Sequence, residues 1–313
     1  MGVERRSRRL DATGERRFTD RLKALFARDD PTVELGIGDD AAVVAPAHDR
    51  LVACCDPVVV GVHCAPDAKP AAIAHKAVAR NLSDLAAMGA TPRHLLVAVL
   101  VPKDLGRPPL DALMRGLARA ARRFGVTIVG GDVGSTPGPW TVVVTALGEI
   151  SGRPLRRDGL AVGDALHVTG PLGGSILGRH LRFEPRIAAG LALAASDAVS
   201  ACMDVSDGLV LDLWTMLRAS GCPGADIDAA ALPVHADARR LARQDGTPAL
   251  DHALFDGEDH ELLFGVRGRA AVPTGLGAVA GRPIGRVSAT PGIRLVTNDG
   301  VRTLDVRGYQ HRV

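Results

Sequence analysis

The sequence predicts an α/β or α+β protein, because apolar strand-like runs alternate with helical stretches along most of the chain. At roughly 150 residues per domain, the 313 residues predict about two domains with enough length for real cores. Although 46% of the residues are hydrophobic, no uninterrupted apolar run approaches the roughly 20 residues that span a bilayer. We therefore expect a soluble globular protein without a membrane partner.

Two kinds of apolar pattern define the elements. Strands are predicted where short apolar runs are bounded by turn residues, at 41–45, 51–55, 95–101, 126–129, 141–150, 165–169 and 262–266. Helices are predicted at 15–26, 70–88, 108–124, 175–182, 185–195 and 208–219. In the helix at 108–124, Leu110, Leu113 and Leu117 form an inward stripe, whereas Arg115 and Arg119 lie outside it. We interpret this arginine row as a solvated face rather than a ligand site.

A domain boundary is predicted at 151–163, where glycine and proline interrupt two strand-like runs. The predicted organisation is a basic tail with the first helix (1–26), an N-terminal domain (27–150) and a C-terminal domain (151–313). Two domains that meet in a cleft are the expected architecture.

Composition excludes several partners. The net charge of +3 is small for this length, and two Trp, one Tyr and six Phe offer few platforms for base stacking, so no nucleic-acid partner is expected. The five cysteines form no CxxC pair, and an odd number fits poorly with a disulfide framework. We expect reduced thiols and a cytoplasmic protein.

Aspartates recur where a strand-like run ends or a helix begins. These residues are Asp39, Asp40, Asp56, Asp132, Asp204 and Asp207. Carboxylates that converge repel one another unless a cation lies between them, and hard oxygen ligands favour magnesium or calcium over zinc. Simpler explanations stay open, because Asp39 and Asp40 suit a turn and Ser206 and Asp207 suit a helix cap.

Other local signals are weaker. Asp84 lies inside a helical pattern, where aspartate is unfavourable, and this suggests a partner for its charge. The glycine-rich stretch 168–175 runs from a strand towards a helix as a phosphate-binding loop would, but glycine is also common there for steric reasons. The chain has no GxxxxGK[ST], HExxH, GxSxG or kinase-type HRD motif, so P-loop, zincin, hydrolase and protein-kinase functions are not expected.

The ordered set of motifs is more specific than any single one. It comprises 36–42 (GIGDDAA), 56–63, 81–90 (NLSDLAAMGA), 130–132 (GGD), 163–170, 204–209 (DVSDGL), 257–259 (GED) and 308–311 (GYQH). This set resembles the thiamine-monophosphate kinases of the AIR synthase-like superfamily. The resemblance implies a two-domain fold in which an N-terminal mixed sheet carries helices on one side and the C-terminal domain is α/β. It also implies ATP-dependent phosphorylation of thiamine monophosphate to thiamine diphosphate, with several magnesium ions, by a homodimer that pairs its N-terminal sheets.

The resemblance assigns roles by motif match. Metal binding is implied for Asp39, Cys55, Asp56, Asp84, Asp132, Asp204 and Asp207, among which Asp39, Asp84 and Asp207 are the implied catalytic residues. Nucleotide binding is implied for Gly131, Asp132, Arg157 and Ser206, and binding of the thiamine end for His63, Glu258 and Tyr309. By composition alone, Arg156 and Arg157 are equally a surface pair.

An aspartate-rich site without an obvious catalytic lysine or histidine fits this chemistry. A phosphate acceptor with a second pKa of about 6 is already anionic at neutral pH, so no general base is needed. Phosphoryl transfer then depends on positioning and on neutralising charge with metal ions.

The chain also departs from the family pattern. Cys54 and Cys55 precede Asp56 where hydroxyl residues are usual, and a thiol is a poor magnesium ligand, although backbone carbonyls could serve. Further departures, mostly towards the acceptor side, are Val60, Cys64, Val133 and His260. Three functions stay open: the thiamine monophosphate reaction, a kinase for another small phosphorylated acceptor, and an inactive nucleotide-binding paralogue.

Overall fold

The computed structural model describes residues 12–37, 41–48, 50–268, 270–276 and 279–309. By packing, the chain divides into two compact units. The first comprises Met1–Asn81 and Pro92–Glu149, and the second comprises Leu82–Thr91 and Ile150–Val313. In the described ranges, no helix is long and apolar enough to cross a membrane.

The first unit contains a four-stranded sheet and a separate two-stranded antiparallel pair. Its elements are α1 (Ala12–Phe26), β1 (Val33–Leu35), β2 (Val43–Val44), β3 (Arg50–Val59), α2 (Pro70–Ala87), β4 (Thr91–Pro102), α3 (Arg107–Phe124), β5 (Thr127–Thr136) and β6 (Thr141–Ile150). The end of α2 from Leu82 onwards, the first residue of β4 and the last residue of β6 belong to the second unit. The strand order in the larger sheet is β3-β6-β4-β5, and β4 and β5 run parallel.

Helix α3 shows how local sequence sets an element. Proline occupies its first turn, where a missing N–H costs nothing, and its C-cap is Gly125. Leu110, Leu113 and Leu117 are buried, whereas Arg115 and Arg119 are exposed. The helix predicted at 108–124 is therefore confirmed, as is the solvated arginine face.

Strands β3 and β5 extend beyond their predicted ends. The sequence placed Asp56 and Asp132 just after strands, but both residues lie inside them. In β5 the ladder continues because residues 130–136 pair with β4 from Leu96 to Pro102. This pairing outweighs the low strand propensity of the two glycines that precede Asp132.

The second unit is built on a seven-stranded mixed sheet of order β13-β12-β9-β11-β7-β10-β8, in which only β9 and β12 run parallel among the described pairs. Its strands are β7 (Ala165–Val168), β8 (Val199–Asp204), β9 (Gly224–Asp228), β10 (Leu262–Val266), β11 (Gly285–Ser288), β12 (Gly292–Thr297) and β13 (Gly300–Thr303). Its helices are α4 (Ile187–Ala194), α5 (Leu209–Ala219), α6 (Ala236–Asp245) and α7 (Ala249–Phe255).

Strand β10 supplies apolar side chains to a core on each face of this sheet. Leu263 packs with Leu213 and Leu254 in one cluster, and Phe264 packs with Leu193 in the other. Because alternate side chains of a strand point to opposite faces, a strand covered on both sides reads as a continuous apolar run. The prediction of this strand at 262–266 is confirmed.

The helix predicted at 175–182 is wrong. The segment forms two 3-10 turns, Ser175–Leu177 and Arg179–Leu181, which meet at Gly178. The prediction omitted β1, β8, β9, α6, α7 and β11–β13. The strands predicted at 141–150 and 262–266 occur with the predicted ends, and the other predicted elements occur with shifted ends.

Candidate functional site

The loop 204–208 joins β8 to α5 and carries the DVSDG motif. Asp204 ends the strand and is buried, at 3% exposure. Its Oδ2 accepts a hydrogen bond of 2.7 Å from Ser83 Oγ and lies 3.3 Å from His260 Nδ1. Burial favours a raised pKa, but His260, Ser83 and the charge of Arg157 hold the pKa of Asp204 below its usual value. Asp204 is thus a buried, ionised carboxylate.

Asp212, which the sequence analysis did not single out, organises this loop from the first turn of α5. Its Oδ2 accepts the backbone N–H groups of Ser206, Asp207 and Gly208 at 3.0, 3.1 and 3.2 Å. The N-cap residue is Gly208, not Ser206 or Asp207 as the capping hypothesis required. Burial, together with the charges of Asp204 and Asp207, raises the pKa of Asp212 to about 8.

The segment 257–261 lies against this loop and extends the β8–β10 pairing. Backbone hydrogen bonds of 2.7 Å run from Glu258 N to Ser206 O, from His260 N to Val205 O and from Val205 N to Glu261 O. Glu258 (φ 64°) and His260 (φ 52°) are the non-glycine residues with positive φ in the described parts of the chain. Each such conformation costs about 1–2 kcal/mol, so the surrounding contacts must hold it.

Two residues predicted for the thiamine end therefore meet the predicted metal and nucleotide loop. Glu258 N donates to Ser206 O, and Tyr309 N donates to Asp207 O at 2.9 Å. Consecutive carbonyls of the loop are thus used by two segments that are distant in sequence. This convergence lies entirely within the second unit.

His260 contacts two carboxylates at once. Its Nδ1 is 3.3 Å from Asp204 Oδ2, and its Nε2 is 3.1 Å from Glu258 Oε2. The ring stacks on Phe183 with centroids 4.0 Å apart. Burial favours the neutral imidazole, but the hydrogen bonds and charges of Asp204 and Glu258 raise the pKa of His260 to about 9. The side chain is therefore a buried imidazolium at neutral pH.

The glycine-rich loop has its amides occupied by carboxylates of the same unit. Gly173 N donates to Asp259 Oδ2 at 2.8 Å, and Gly174 N donates to Asp256 Oδ2 at 2.9 Å. Arg179 Nη2 also donates to Asp259 Oδ1 at 2.7 Å. The phosphate-binding interpretation of 168–175 loses these two donors, which favours the steric explanation.

In the first unit, Asp56 and Cys55 point to opposite faces of β3, as neighbouring strand residues do. Arg80 Nε donates to Asp56 Oδ2 at 3.2 Å, and Asp56 N donates to Asn81 Oδ1 at 3.0 Å. Cys55 is exposed, and its Sγ accepts a hydrogen bond from Thr145 Oγ1 at 3.3 Å. Their two side chains cannot reach one ion together from this strand.

The other first-unit candidates lie on β5 and in the turn after β3. Gly131 has φ 148°, and an added Cβ would overlap the carbonyl oxygen of Val97, so only glycine fits there. Asp132 is exposed and pairs with Ala98 of β4. His63 is buried, and its Nδ1 accepts a hydrogen bond from Val59 N at 2.9 Å. This bond places the proton of a neutral His63 on Nε2.

The remaining candidates are in the second unit or outside the described residues. Asp84 is half-buried in the last turns of α2, and Arg157 is exposed. Arg156 forms a surface ion pair with Asp158. Asp39 lies outside the described residues. Within the described ranges, no three His, Cys, Asp or Glu side chains are arranged to hold a metal ion.

Comparisons with known proteins give consistent matches. Residues 38–150 match the family model "AIR synthase related protein, N-terminal domain". The thiamine-monophosphate kinase of Rhodopirellula baltica is 43% identical over 243 residues, which is 75% of this chain and 76% of that protein. The crystal structure of the thiamine-monophosphate kinase of Stenotrophomonas maltophilia K279a superposes with a TM-score of 0.74 at 32% identity, over 88% of this chain and 94% of that one. AaThiL, complexed with AMPPCP and TMP, gives a TM-score of 0.74 at 27% identity, over 100% and 99% of the two chains.

Proposed function

Since the chain belongs to the thiamine-monophosphate kinase family, we propose that it transfers the terminal phosphoryl group of ATP to thiamine monophosphate and so makes thiamine diphosphate. The relative AaThiL carries an ATP analogue together with TMP, which supports both substrates. The observation that carries the proposal is the use of consecutive carbonyls, Ser206 O and Asp207 O, by Glu258 and Tyr309.

The carboxylates fit magnesium by their chemistry. Burial and then the negative charges of Asp204 and Asp207 raise the pKa of Asp212, and a bound cation would offset those charges. We assign magnesium binding to Asp39, Cys55 (through its backbone carbonyl), Asp56, Asp84, Asp132, Asp204 and Asp207. Bound magnesium would neutralise charge on the phosphate oxygens as the two anions approach.

The other roles follow the same assignment. Asp39, Asp84 and Asp207 act nearest the transferred group; Gly131, Asp132, Arg157 and Ser206 hold the nucleotide; His63, Glu258 and Tyr309 hold the thiamine end. Because the acceptor phosphate is already anionic, no side chain in this set has to remove a proton. These residues position the substrates and balance charge.

The direct test is formation of thiamine diphosphate from thiamine monophosphate, ATP and magnesium, followed by chromatography. Asp207→Asn should lower kcat at least 100-fold, because charge neutralisation is the main catalytic task. Asp228→Asn is the matched control, since Asp228 is exposed and its Oδ1 accepts only the nearby Ala230 N among the hydrogen bonds of the described residues. A folded wild-type protein that makes no thiamine diphosphate would refute the proposal.

Two alternatives make different predictions. The departures Val60, Cys64 and His260 lie in segments assigned to the acceptor side, and they favour a kinase for another small phosphorylated acceptor as the second candidate. An acceptor panel monitored by ADP release separates the two kinases. An inactive nucleotide-binding paralogue would bind ATP in calorimetry and release no ADP with any acceptor.

We also propose a homodimer formed through the open face of the four-stranded sheet. On this face Leu51 is 54% exposed, Leu96 38% and Leu100 42%, whereas the alternate residues Val97 and Val99 of β4 are buried. A second copy of the same apolar face is the occupant that fits it. A cytoplasmic location is proposed as well, since all five cysteines are free thiols.

A further inference from the structure

His260 joins two carboxylates to which the proposed function gives different tasks. Its Nδ1 faces Asp204, assigned to magnesium, and its Nε2 faces Glu258, assigned to the thiamine end, at 3.3 and 3.1 Å. The two nitrogens lie on different edges of one rigid ring, so a fixed ring orientation sets both carboxylates at once.

The ring orientation is fixed from several directions. His260 is 2% exposed, its backbone N–H is bonded to Val205 O at 2.7 Å, and its ring stacks on Phe183 at an interplanar angle of 11°. Both His260 and Glu258 adopt positive φ. The carboxylate of Glu258 contacts the ring of His260, two residues further along the chain. Strained backbone held by surrounding contacts is typical of residues that orient others.

Ser83 and His260 contact the same carboxylate oxygen of Asp204. Ser83 Oγ and His260 Nδ1 both contact Oδ2, at 2.7 and 3.3 Å. Neither contact uses Oδ1. A side chain that orients a metal-binding carboxylate in this way tunes affinity without touching the ion.

We propose that His260 is a positioning residue that holds Asp204 and Glu258 in one fixed relation, so that a single imidazole sets both the cation-binding carboxylate and the thiamine-side carboxylate. This inference rests on the proposed function. It assigns a role to a residue at which this chain departs from the family pattern.

His167 provides a matched control in the same unit. Like His260 it is 2% exposed and stacks on a phenylalanine, Phe264, with centroids 5.3 Å apart. Its Nδ1 contacts the backbone carbonyl of Ala280 at 2.9 Å rather than a carboxylate. His167→Phe therefore repeats the chemical change of His260→Phe without altering the candidate site.

The experiment compares the wild type, His260→Phe and His167→Phe by two readouts. The first is binding of Mn²⁺ alone, as a magnesium substitute, measured by electron paramagnetic resonance without nucleotide. The second is steady-state kinetics with thiamine monophosphate. For His260→Phe we expect about tenfold weaker Mn²⁺ binding and about a tenfold higher KM for thiamine monophosphate, because both hydrogen bonds are lost while the stacking ring stays. His167→Phe should stay within about twofold of wild type in both.

A second variant covers the case in which phenylalanine at positive φ prevents folding. His260→Asn tolerates positive φ and retains one short donor, so it should fold and show the same shifts at reduced size. Wild-type Mn²⁺ affinity and KM in either folded variant would overturn the positioning role, as would equal shifts in His167→Phe or no Mn²⁺ binding by the wild type. A wild type without kinase activity, combined with weaker Mn²⁺ binding in His260→Phe, would refute the proposed function and leave the positioning of Asp204 supported.

Discussion

Asp212 illustrates how a buried carboxyl in a helix can shape the loop that precedes it. Ser206, Asp207 and Gly208 precede the first residue of α5, and one oxygen of Asp212 accepts the backbone N–H groups of all three. These hydrogen bonds hold the loop that carries Asp204 and Asp207 against the first turn of α5.

Replacing Asp212 by alanine should destabilise the second unit. The amides of Ser206, Asp207 and Gly208 would lose their acceptor in a partly buried setting, at a cost of about 1–3 kcal/mol in the free energy of unfolding. Chemical denaturation measures this loss. Asp212→Asn keeps an acceptor oxygen and should lose less, and Asp228→Ala, at the exposed end of β9, should change stability by less than about 0.5 kcal/mol. An alanine variant as stable as this control would contradict the role of Asp212.

At single residues, the order of the motifs predicted candidate site residues, whereas a residue outside the motifs gave no distinctive signal. The motif order pointed to Asp204, Asp207, Glu258 and Tyr309, which the structure brings together. It did not reveal Asp212, because an acidic residue in a first helical turn is common for dipole reasons alone. The predicted roles of all these residues stay predictions.

Asp30 ties the segment after α1 to the four-stranded sheet of the first unit. It accepts hydrogen bonds of 2.6 Å from Thr32 Oγ1 and Thr127 Oγ1, and Thr32 Oγ1 in turn contacts His94 Nε2 at 2.8 Å. Burial favours a raised pKa, but these hydrogen bonds lower the pKa of Asp30 from 3.8 to about 2. A network of this kind depends on the charge of one carboxylate.

The contribution of Asp30 to stability should therefore depend on pH. A carboxyl whose pKa is lowered by folding stabilises the protein above its unfolded pKa near 3.8, and the contribution disappears as the pH falls to about 2. Asp30→Asn should lower the unfolding free energy by about 1 kcal/mol at pH 6, allowing for solvent screening. Calorimetry from pH 6 to pH 2.5 should show the gap closing, and a gap that widens towards low pH would contradict the assignment. Asp29→Asn, at an exposed neighbour, should have little effect at pH 6.

Helix α4 packs against the end of α2 through a glycine. An added Cβ at Gly190 would overlap the carbonyl oxygen of Ala86. Because backbone atoms cannot move aside as a flexible side chain can, Gly190→Ala should cost about 1–3 kcal/mol and lower the thermal midpoint by several degrees in calorimetry. Gly152→Ala, with no atom within 4 Å of the new Cβ, is the control and should leave the midpoint unchanged. Equal midpoints for both variants would show that the helices separate easily.

Whether an element could be predicted depended on its pattern. Helix α3 has a clear apolar stripe, and the strand at 141–150 has the predicted ends. Strand β8 (VSACMD) is buried at every residue and shows neither alternation nor a long apolar run, so it was missed. The extension of β5 was missed because it depends on pairing with β4, which no local pattern records. The AIR synthase-like fold expected from the motifs is confirmed.

For the whole molecule, the open sheet face gives a direct test of the proposed dimer. Leu96→Glu places a charge in the middle of that face, and burying it against a second copy would be unfavourable. The wild type should sediment at twice the mass of one chain and Leu96→Glu at one chain mass. Ile176→Glu, at a 65% exposed residue of the second unit, should remain a dimer. A monomeric wild type would exclude the proposal.

The two units are interleaved along the chain, because residues 82–91 belong to the unit formed by 150–313. Ala86 and Ala87 pack in one core with Leu155 and Leu193. A gene divided at position 150 would therefore leave the second unit incomplete: the downstream fragment would lack part of its own core and Ser83, the donor to Asp204. An exchange of the second unit between relatives of this protein would have to transfer residues 82–91 together with residues 150–313.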